Sequence, residues 1–316
     1  MALPFIMECL KMKTGKHIGS ICIIIPTFNR RDYLFQLLLQ IGKLENRYNV
    51  DIIPVIVVDG CTDDTCEMLA REFPSYITLR GPGGWWWTKC INEGMKYAIC
   101  RFCPDYLLLL NDDSQIHPDY LNALIESAYS AGDDSIIGSI SVTDNSPLRV
   151  TFSGVKSIDW TYYRVMNYHR SFELLENIPP LGLYPSFALN GRGSFFSAKL
   201  ILEVGFLNEH SFPQYGSDDD LALRAWKKGF LVFISYSCIV FDRTQETAKG
   251  TAFRQDRLPV FLKSFFTWNS VNYLPKQMAF FYLHGKKKLL PFYLLKFIAG
   301  TCYAYFFKYK NVKHDL

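Results

Sequence analysis

The 316-residue sequence is short of the features that mark several large protein classes. No GxGxxG and no GxxxxGK[ST] follows its first apolar run, so dinucleotide and P-loop readings lose support. Its six histidines show no HExxH and no metal-cluster spacing. Its nine cysteines are an odd number and form no two-pair zinc framework. Several lie in apolar runs, where a free thiol packs as a small hydrophobe, so they read as reduced and point to a cytoplasmic compartment. Charge is scarce at 20% of residues, and the net +4 is unevenly placed. Residues 285–316 hold seven lysines against one aspartate, whereas the rest holds 27 basic against 29 acidic residues. A near-neutral body without a basic stripe argues against a nucleic-acid partner. There is no internal repeat and no low-complexity linker. At the N-terminus the lysines follow the short apolar piece 2–7 instead of preceding it, which is the wrong order for a secretory signal.

What is present is an ordinary globular composition, with 49% hydrophobic residues. The chain alternates apolar runs of strand length with helical periodicity. Strands are expected at 21–25, 52–58, 77–79, 106–110 and 136–140, with helices between them at about 30–41, 62–73, 88–100 and 118–129. This alternation predicts an α/β fold built on a mostly parallel, Rossmann-like sheet flanked by helices. Farther on, a strand is expected at 186–190, a helix capped by Ser197, a helix over 218–228, and strands at 230–234 and 239–241. The organisation read from this is a lead-in (1–19), a first half (20–140), a second half (141–275) and a basic, aromatic tail (276–316).

Polar residues collect where the apolar strands end, and ligands of doubly wound sheets bind beyond the carboxyl ends of strands. The first run ends in Pro26-Thr27-Phe28-Asn29-Arg30, short polar groups suited to a base and ribose. The second ends at Asp59, a carboxylate able to accept hydrogen bonds from the same ligand. Asp63 and Asp64 after it belong to the first turn of a helix. The fourth delivers Asn111, Asp112 and Asp113. Adjacent carboxylates repel unless a cation screens them, and a hard divalent ion with oxygen ligands would also neutralise a departing diphosphate. Asp113 is the expected metal ligand, with Asp242 as an added one, and the ion expected is Mg²⁺ or Mn²⁺. Asp218, Asp219 and Asp220 open a later helix; Asp218, with Asp220 as the alternative, is the expected general base. Gly84 and Asn92 are added on the donor side, and Trp85, Trp86, Gly191 and Arg192 on the acceptor side.

Taken in order, the motifs IIIPTFNR (23–30), VVDGCTDD (57–64), GPGGWWWTKCINEGM (81–95), LLLLNDD (107–113), LNGRGSFFS (189–197) and the segment 205–229 resemble the family-2 inverting glycosyltransferases of GT-A fold. Within that family the chain is similar to the bacterial rhamnosyltransferase-like branch, which builds cell-surface polysaccharides. The resemblance covers about residues 20–275 and implies that 20–140 is the nucleotide-sugar-binding half and 141–275 the acceptor-binding and catalytic-base half. It implies that Thr27, Asn29 and Asp59 hold the nucleotide, that Asp113 is the metal-binding acid of a DxD-type motif, and that Asp218 is the base of an ED-type pair. Three departures stand out: Asn111 for the usual first aspartate, Ser217 for the glutamate before the base, and Asp242 where many members place a histidine. The implied activity is transfer of a sugar from a nucleotide diphosphate sugar to an acceptor hydroxyl with inversion. A sugar-phosphate nucleotidyltransferase, or a non-catalytic nucleotide- or glycan-binding protein, is the alternative.

Residues 289–307 form a 19-residue apolar stretch interrupted by Lys296 and Pro291. That length just reaches across a bilayer, but a central lysine costs about 2.5–3.5 kcal/mol on insertion scales. Tyrosines, phenylalanines and flanking lysines suit a helix lying in the interface, so peripheral contact with the inner leaflet is expected, near a glycan or lipid-linked acceptor.

Overall fold

The computed structural model of the chain describes residues 18–243 and 257–308. Most of the lead-in and the end of the tail, 309–316, lie outside them.

Strand β1 (Ser20–Thr27) is apolar from Ile21 to Pro26 and buried there on both faces, as a parallel strand between two helical layers must be. It pairs in parallel with β2 (Asp51–Asp59) and β4 (Tyr106–Leu109), and β2 pairs with β3 (Ile77–Gly81). Alternate side chains feed two cores. Cys22, Ile24, Leu107 and Leu109 enter one; Ile21, Ile23, Ile25 and Leu108 enter the other. Truncating one of these buried aliphatics to Ala would cost about 2–5 kcal/mol. The first core is covered by α3 (Trp86–Phe102), the second by α1 (Arg31–Ile41), α2 (Thr65–Glu72) and α4 (Tyr120–Ala131). Helix α3 lies close on the sheet because Gly94 has no side chain: a Cβ there would come within 2.5 Å of Ile24 Cγ2.

The later chain completes the same sheet. Strands β6 (Ser135–Thr143) and β12 (Leu231–Asp242) pair in parallel. Between β6 and β4 runs β11 (Ser194–Ser197), antiparallel to both. Short strands β5 (Ser114–Ile116), β7 (Val150–Phe152) and β10 (Leu183–Pro185) complete a ten-stranded sheet: eight strands lie on the path β10-β12-β6-β11-β4-β1-β2-β3, and off it β5 pairs with β12 and β7 with β6. The hairpin β8 (Val155–Asp159) and β9 (Arg164–Asn167) stands apart. The two halves expected from sequence thus share one sheet.

Helix α5 (Ala198–Val204) is capped by Ser197, which accepts the Leu200 N–H. Helix α6 (Ser217–Lys227) carries the three aspartates. The C-terminal region is α7 (Leu258–Ser264), α8 (Leu274–His284) and α9 (Leu290–Tyr303). Two expectations need correction. No strand forms at 186–190, because the Ser186 hydroxyl bonds the backbone at Val155 and Ala188 and holds a turn. The expected strands 230–234 and 239–241 are one strand, β12, with an irregularity between Ser235 and Ile239.

Candidate active site

All the parallel strands end at one edge, and β11 begins there because it runs the other way. That edge therefore receives Thr27, Asp59, Asn111–Asp113 and Asp242 from strand ends, and Gly191-Arg192-Gly193 from the turn before β11.

Asn111, Asp112 and Asp113 leave β4 directly onto this rim. Arg30, which the sequence reading left without a role, bridges the two acids through one nitrogen, Nη1, at 3.1 Å from Asp112 Oδ1 and 2.8 Å from Asp113 Oδ2. Burial pushes the Asp112 carboxyl up to about 6 even though Arg30 pulls the other way. Asp113 Oδ1 is buried and takes no hydrogen bond among the described residues. An acid oxygen left over beside a second carboxylate is a donor set that fits a hard cation.

The three tryptophans of 85–87 diverge. Trp85 packs over Gly81 beside Asp59, with Lys89 above its ring at 5.5 Å. Trp86, at a positive φ of 61°, meets Trp268 of the C-terminal region edge-on at 4.4 Å. Trp87, read from sequence only as part of a tryptophan loop and not placed on the acceptor side with Trp85 and Trp86, is the one that reaches the acid rim: its Nε1 donates to Asn111 Oδ1 at 2.7 Å. Its ring also fills the space beside Gly191, where a Cβ would come within 2.5 Å of it.

Asp218, half-buried at the start of α6, is joined to this group. Its Oδ2 accepts the Gly191 N–H at 2.9 Å and its Oδ1 the Asp219 N–H at 3.1 Å. Burial raises its carboxyl above the usual range, while these N–H groups and Arg192 work against the shift. Asp219 beside it is raised well above the usual range, by burial first and by the Asp218 charge second. Trp87 and Gly191 thus link Asp218 to Asn111 and so to the paired acids.

Other expected residues prove engaged elsewhere. Asp220, the alternative base, is buried, with Oδ2 on Arg224 Nε at 2.8 Å and Oδ1 on His284 Nε2 at 2.9 Å. Burial opposes its charge, but His284 and Arg224 outweigh it and hold the carboxyl below its usual range. Both oxygens are occupied, so it is not placed to take a substrate proton. Asp242 is likewise committed, to Arg192 and to the Thr151 hydroxyl, and is not free to ligate a metal as expected. Burial raises its carboxyl despite Arg192. The amide of Asn92 is buried against Leu207 and Glu209, so it braces that loop instead of reaching a donor. Asp59 accepts the N–H groups of Gly83, Trp85 and Trp86 at 2.9, 2.6 and 3.2 Å, holding the loop that contains Gly84 against the start of α3. Pro26 is built into β1 opposite Val57. Asn29, at φ 51°, receives the Thr62 N–H at 2.8 Å. Thr62 therefore serves that turn and does not cap α2; Asp63 accepts from Thr65 there. The eight cysteines among the described residues are free thiols, the C-x2-C pair Cys100 and Cys103 included. No cluster of three or more His, Cys, Asp or Glu side chains is assembled for a metal among the described residues.

A mostly parallel sheet flanked by helices, with antiparallel β11 between β4 and β6, is the arrangement of the GT-A class of fold. The family model described as Glycosyl transferase family 2 matches residues 22–195, more than half the chain, and the chain belongs to that family. Among solved structures it is similar to the crystal structure of GalNAc-T7 with UDP, GalNAc and Mn²⁺, at a TM-score of 0.57 and 12% identity, over 73% of this chain and 44% of that one. It also matches the crystal structure of S. aureus TarS at a TM-score of 0.49 and 12% identity, over 86% of this chain and 45% of that one. The chain spans less than half the length of either. At these identities the likeness shows the fold alone. No curated protein sequence matches the chain.

Proposed function

We propose that this glycosyltransferase moves a sugar from a nucleotide diphosphate sugar to an acceptor hydroxyl with inversion, in the building of a bacterial cell-surface polysaccharide, with rhamnose as one candidate sugar. The observation that carries this reading is the joining of Asp218 to Asn111–Asp113 through Trp87 and Gly191.

Asp218 takes the proton of the acceptor hydroxyl as its oxygen attacks the anomeric carbon. The bond from that carbon to the diphosphate oxygen breaks, and the electron pair leaves with the diphosphate. The raised carboxyl of Asp218 suits a base, since a more basic carboxylate holds the proton better. Asp113, with Asp112 beside it, would hold Mg²⁺ or Mn²⁺, and the bound ion supplies Lewis-acid stabilisation of the leaving diphosphate. The GalNAc-T7 structure contains Mn²⁺ and UDP, which supports that choice of partners. Thr27, Asn29 and Asp59 line the nucleotide side; the lone pairs of Asp59 exceed the loop N–H groups it holds. Gly191, Arg192, Trp85 and Trp86 line the acceptor side. The acceptor is a glycan, free or lipid-linked, reached from the cytoplasmic face of a membrane.

The test is release of nucleoside diphosphate from a panel of nucleotide sugars, with and without Mn²⁺ and acceptor, and product anomers assigned by NMR. Acceptor-dependent release that D218N loses is expected. Pyrophosphate release, or a D218N variant as active as the parent, overturns the reading.

A further inference from the structure

Residues 257–308 contain no aspartate or glutamate and eight lysines or arginines. They make up less than a fifth of the described residues, yet they hold 13 of the 23 large hydrophobic side chains exposed among them. Apolar and cationic surface without any anion is therefore concentrated in α7, α8 and α9.

Helix α9 shows how that surface is arranged. One face is tied to the body. Tyr293 is buried beside Trp160 and donates to its carbonyl, and Lys296 Nζ donates to the carbonyls of Tyr162 and Tyr163 at 2.6 and 3.2 Å. Beyond its end Tyr305 stacks on Phe261 of α7 at 4.0 Å. An outward face beside it carries Phe292, Leu295, Ala299 and Tyr303, continued by Phe306 just past the helix, spaced three or four apart and all exposed, Leu295 by 67% and Tyr303 by 58%. Such an exposed apolar stripe departs from the usual order, in which the apolar side of a surface helix faces the core and polar groups face water. Lysines 286–288 precede the helix, and Lys287 lies 4.5 Å above the ring of exposed Tyr282 on α8, which packs beside α9.

We propose that the outward face of α9, with the lysines before it, is a seat for the surface of an anionic lipid bilayer, with the helix lying in the membrane plane. The segment Lys287–Phe307 is long and apolar enough to cross a membrane. Crossing, however, would strip Tyr293, Lys296 and Tyr305 from the body and carry the Lys296 charge into hydrocarbon. Lying flat keeps all three contacts and buries only the stripe already facing out. The charge favours lipid over an apolar protein partner: exposed Lys286, Lys287 and Lys288, with no anion in residues 257–308, complement an anionic leaflet.

The seat is also joined to the site. His284, at the end of α8, grips Asp220 of α6, and Lys227 of α6 donates to the Leu283 carbonyl at 2.7 Å. Asp218 begins that same helix, so the seat fixes the height of the base above the membrane. This deepens the reading of the acceptor as lipid-linked and rests on it only for that consequence.

The test is flotation of the full chain with vesicles of phosphatidylcholine alone or with 30% phosphatidylglycerol (a proportion of about a third, chosen to mimic an anionic leaflet). Binding to the anionic vesicles is expected, weakened by salt and released by alkaline carbonate. L295E/F306E, checked for folding by circular dichroism, should lower it at least about tenfold, and K287E/K288E should abolish the preference for phosphatidylglycerol. Absence of binding, undiminished binding by L295E/F306E, or resistance to carbonate overturns the seat. So does light scattering that shows a dimer dissolved by L295E/F306E without vesicle binding, which would make the face a protein interface. Transfer to a water-soluble acceptor is measured on the same samples. Intact transfer without vesicle binding sinks the seat alone; vesicle binding without transfer sinks the enzymatic reading alone.

Discussion

His284 Nε2 lies 2.9 Å from Asp220 Oδ1, joining the C-terminal helices to the helix that begins with Asp218. Removing one partner of a buried ion pair leaves the other uncompensated, so D220N should lose about 3–5 kcal/mol in urea unfolding at neutral pH. The native Asp220 carboxyl is held below its unfolded value. Its contribution is therefore complete above the unfolded value of about 3.9 and is lost as the pH falls through the lower native one. The gap between wild type and D220N should narrow in that acid window. A gap independent of pH would mean that the charge of Asp220 is not what stabilises the joint.

Asp218 and Asp220 should separate by kinetics. D218N is expected to cut kcat by about 10²–10⁴-fold while its donor KM changes little. D220N should keep most of its turnover per folded molecule. The reverse pattern in a steady-state assay corrected for folded fraction would reassign the base.

The acid limb of the rate profile carries the raised carboxyl of Asp218. Activity should rise with pH as this group ionises, over a range above the ordinary aspartate value of about 3.9. Arg192 opposes the upward shift, so R192M should move the limb to higher pH. Measurement of kcat/KM from acid to neutral pH checks both the position and the sign.

Trp87 Nε1 and Asn111 Oδ1 are 2.7 Å apart. W87F removes this bond and should cost about 0.5–1.5 kcal/mol of transition-state stabilisation, a several-fold drop in kcat/KM. G191A should do more harm, since its Cβ would sit 2.5 Å from the Trp87 ring and displace either the indole or the N–H held by Asp218. Equal effects of the two would show that the contact does not position Asp218.

D113A should abolish donor turnover. Thermal shift gives the independent readout: Mn²⁺ with a nucleoside diphosphate should raise the melting temperature of the wild type and leave D113A unmoved. A normal shift in D113A would remove its metal role.

Much of the sheet was legible because a strand buried on both faces must be apolar along its whole length. The runs at 21–25, 52–58 and 106–110 each became a strand within a few residues of the expected bounds. The segment 186–190 misled because Ala188 and Leu189 look like strand residues, while the hydroxyl of Ser186 holds a turn. At the rim, Thr27, Asp59 and Asn111–Asp113 were legible as strand ends, whereas the turn 191–193 was expected after a strand and instead precedes one, β11. Arg30 and Trp87 stood in motifs read from sequence, but their partners were not legible, since each lies about 24 to 83 residues away, a separation with no local pattern.

The sequence alone determined which apolar runs become the buried parallel strands, in what order acids arrive, and that the carboxyl ends of those strands deliver them. Those are consequences of hydrophobic periodicity and of parallel connection, both local. Only the tertiary structure decided which acid oxygens stay available. Asp220 is taken up by His284 and Arg224, and Asp242 by Arg192 and Thr151, while Asp59 keeps lone pairs beyond its loop N–H groups and Asp113 a buried oxygen without a hydrogen bond among the described residues. A carboxylate's availability depends on the donors folded against it, and those donors come from distant parts of the chain.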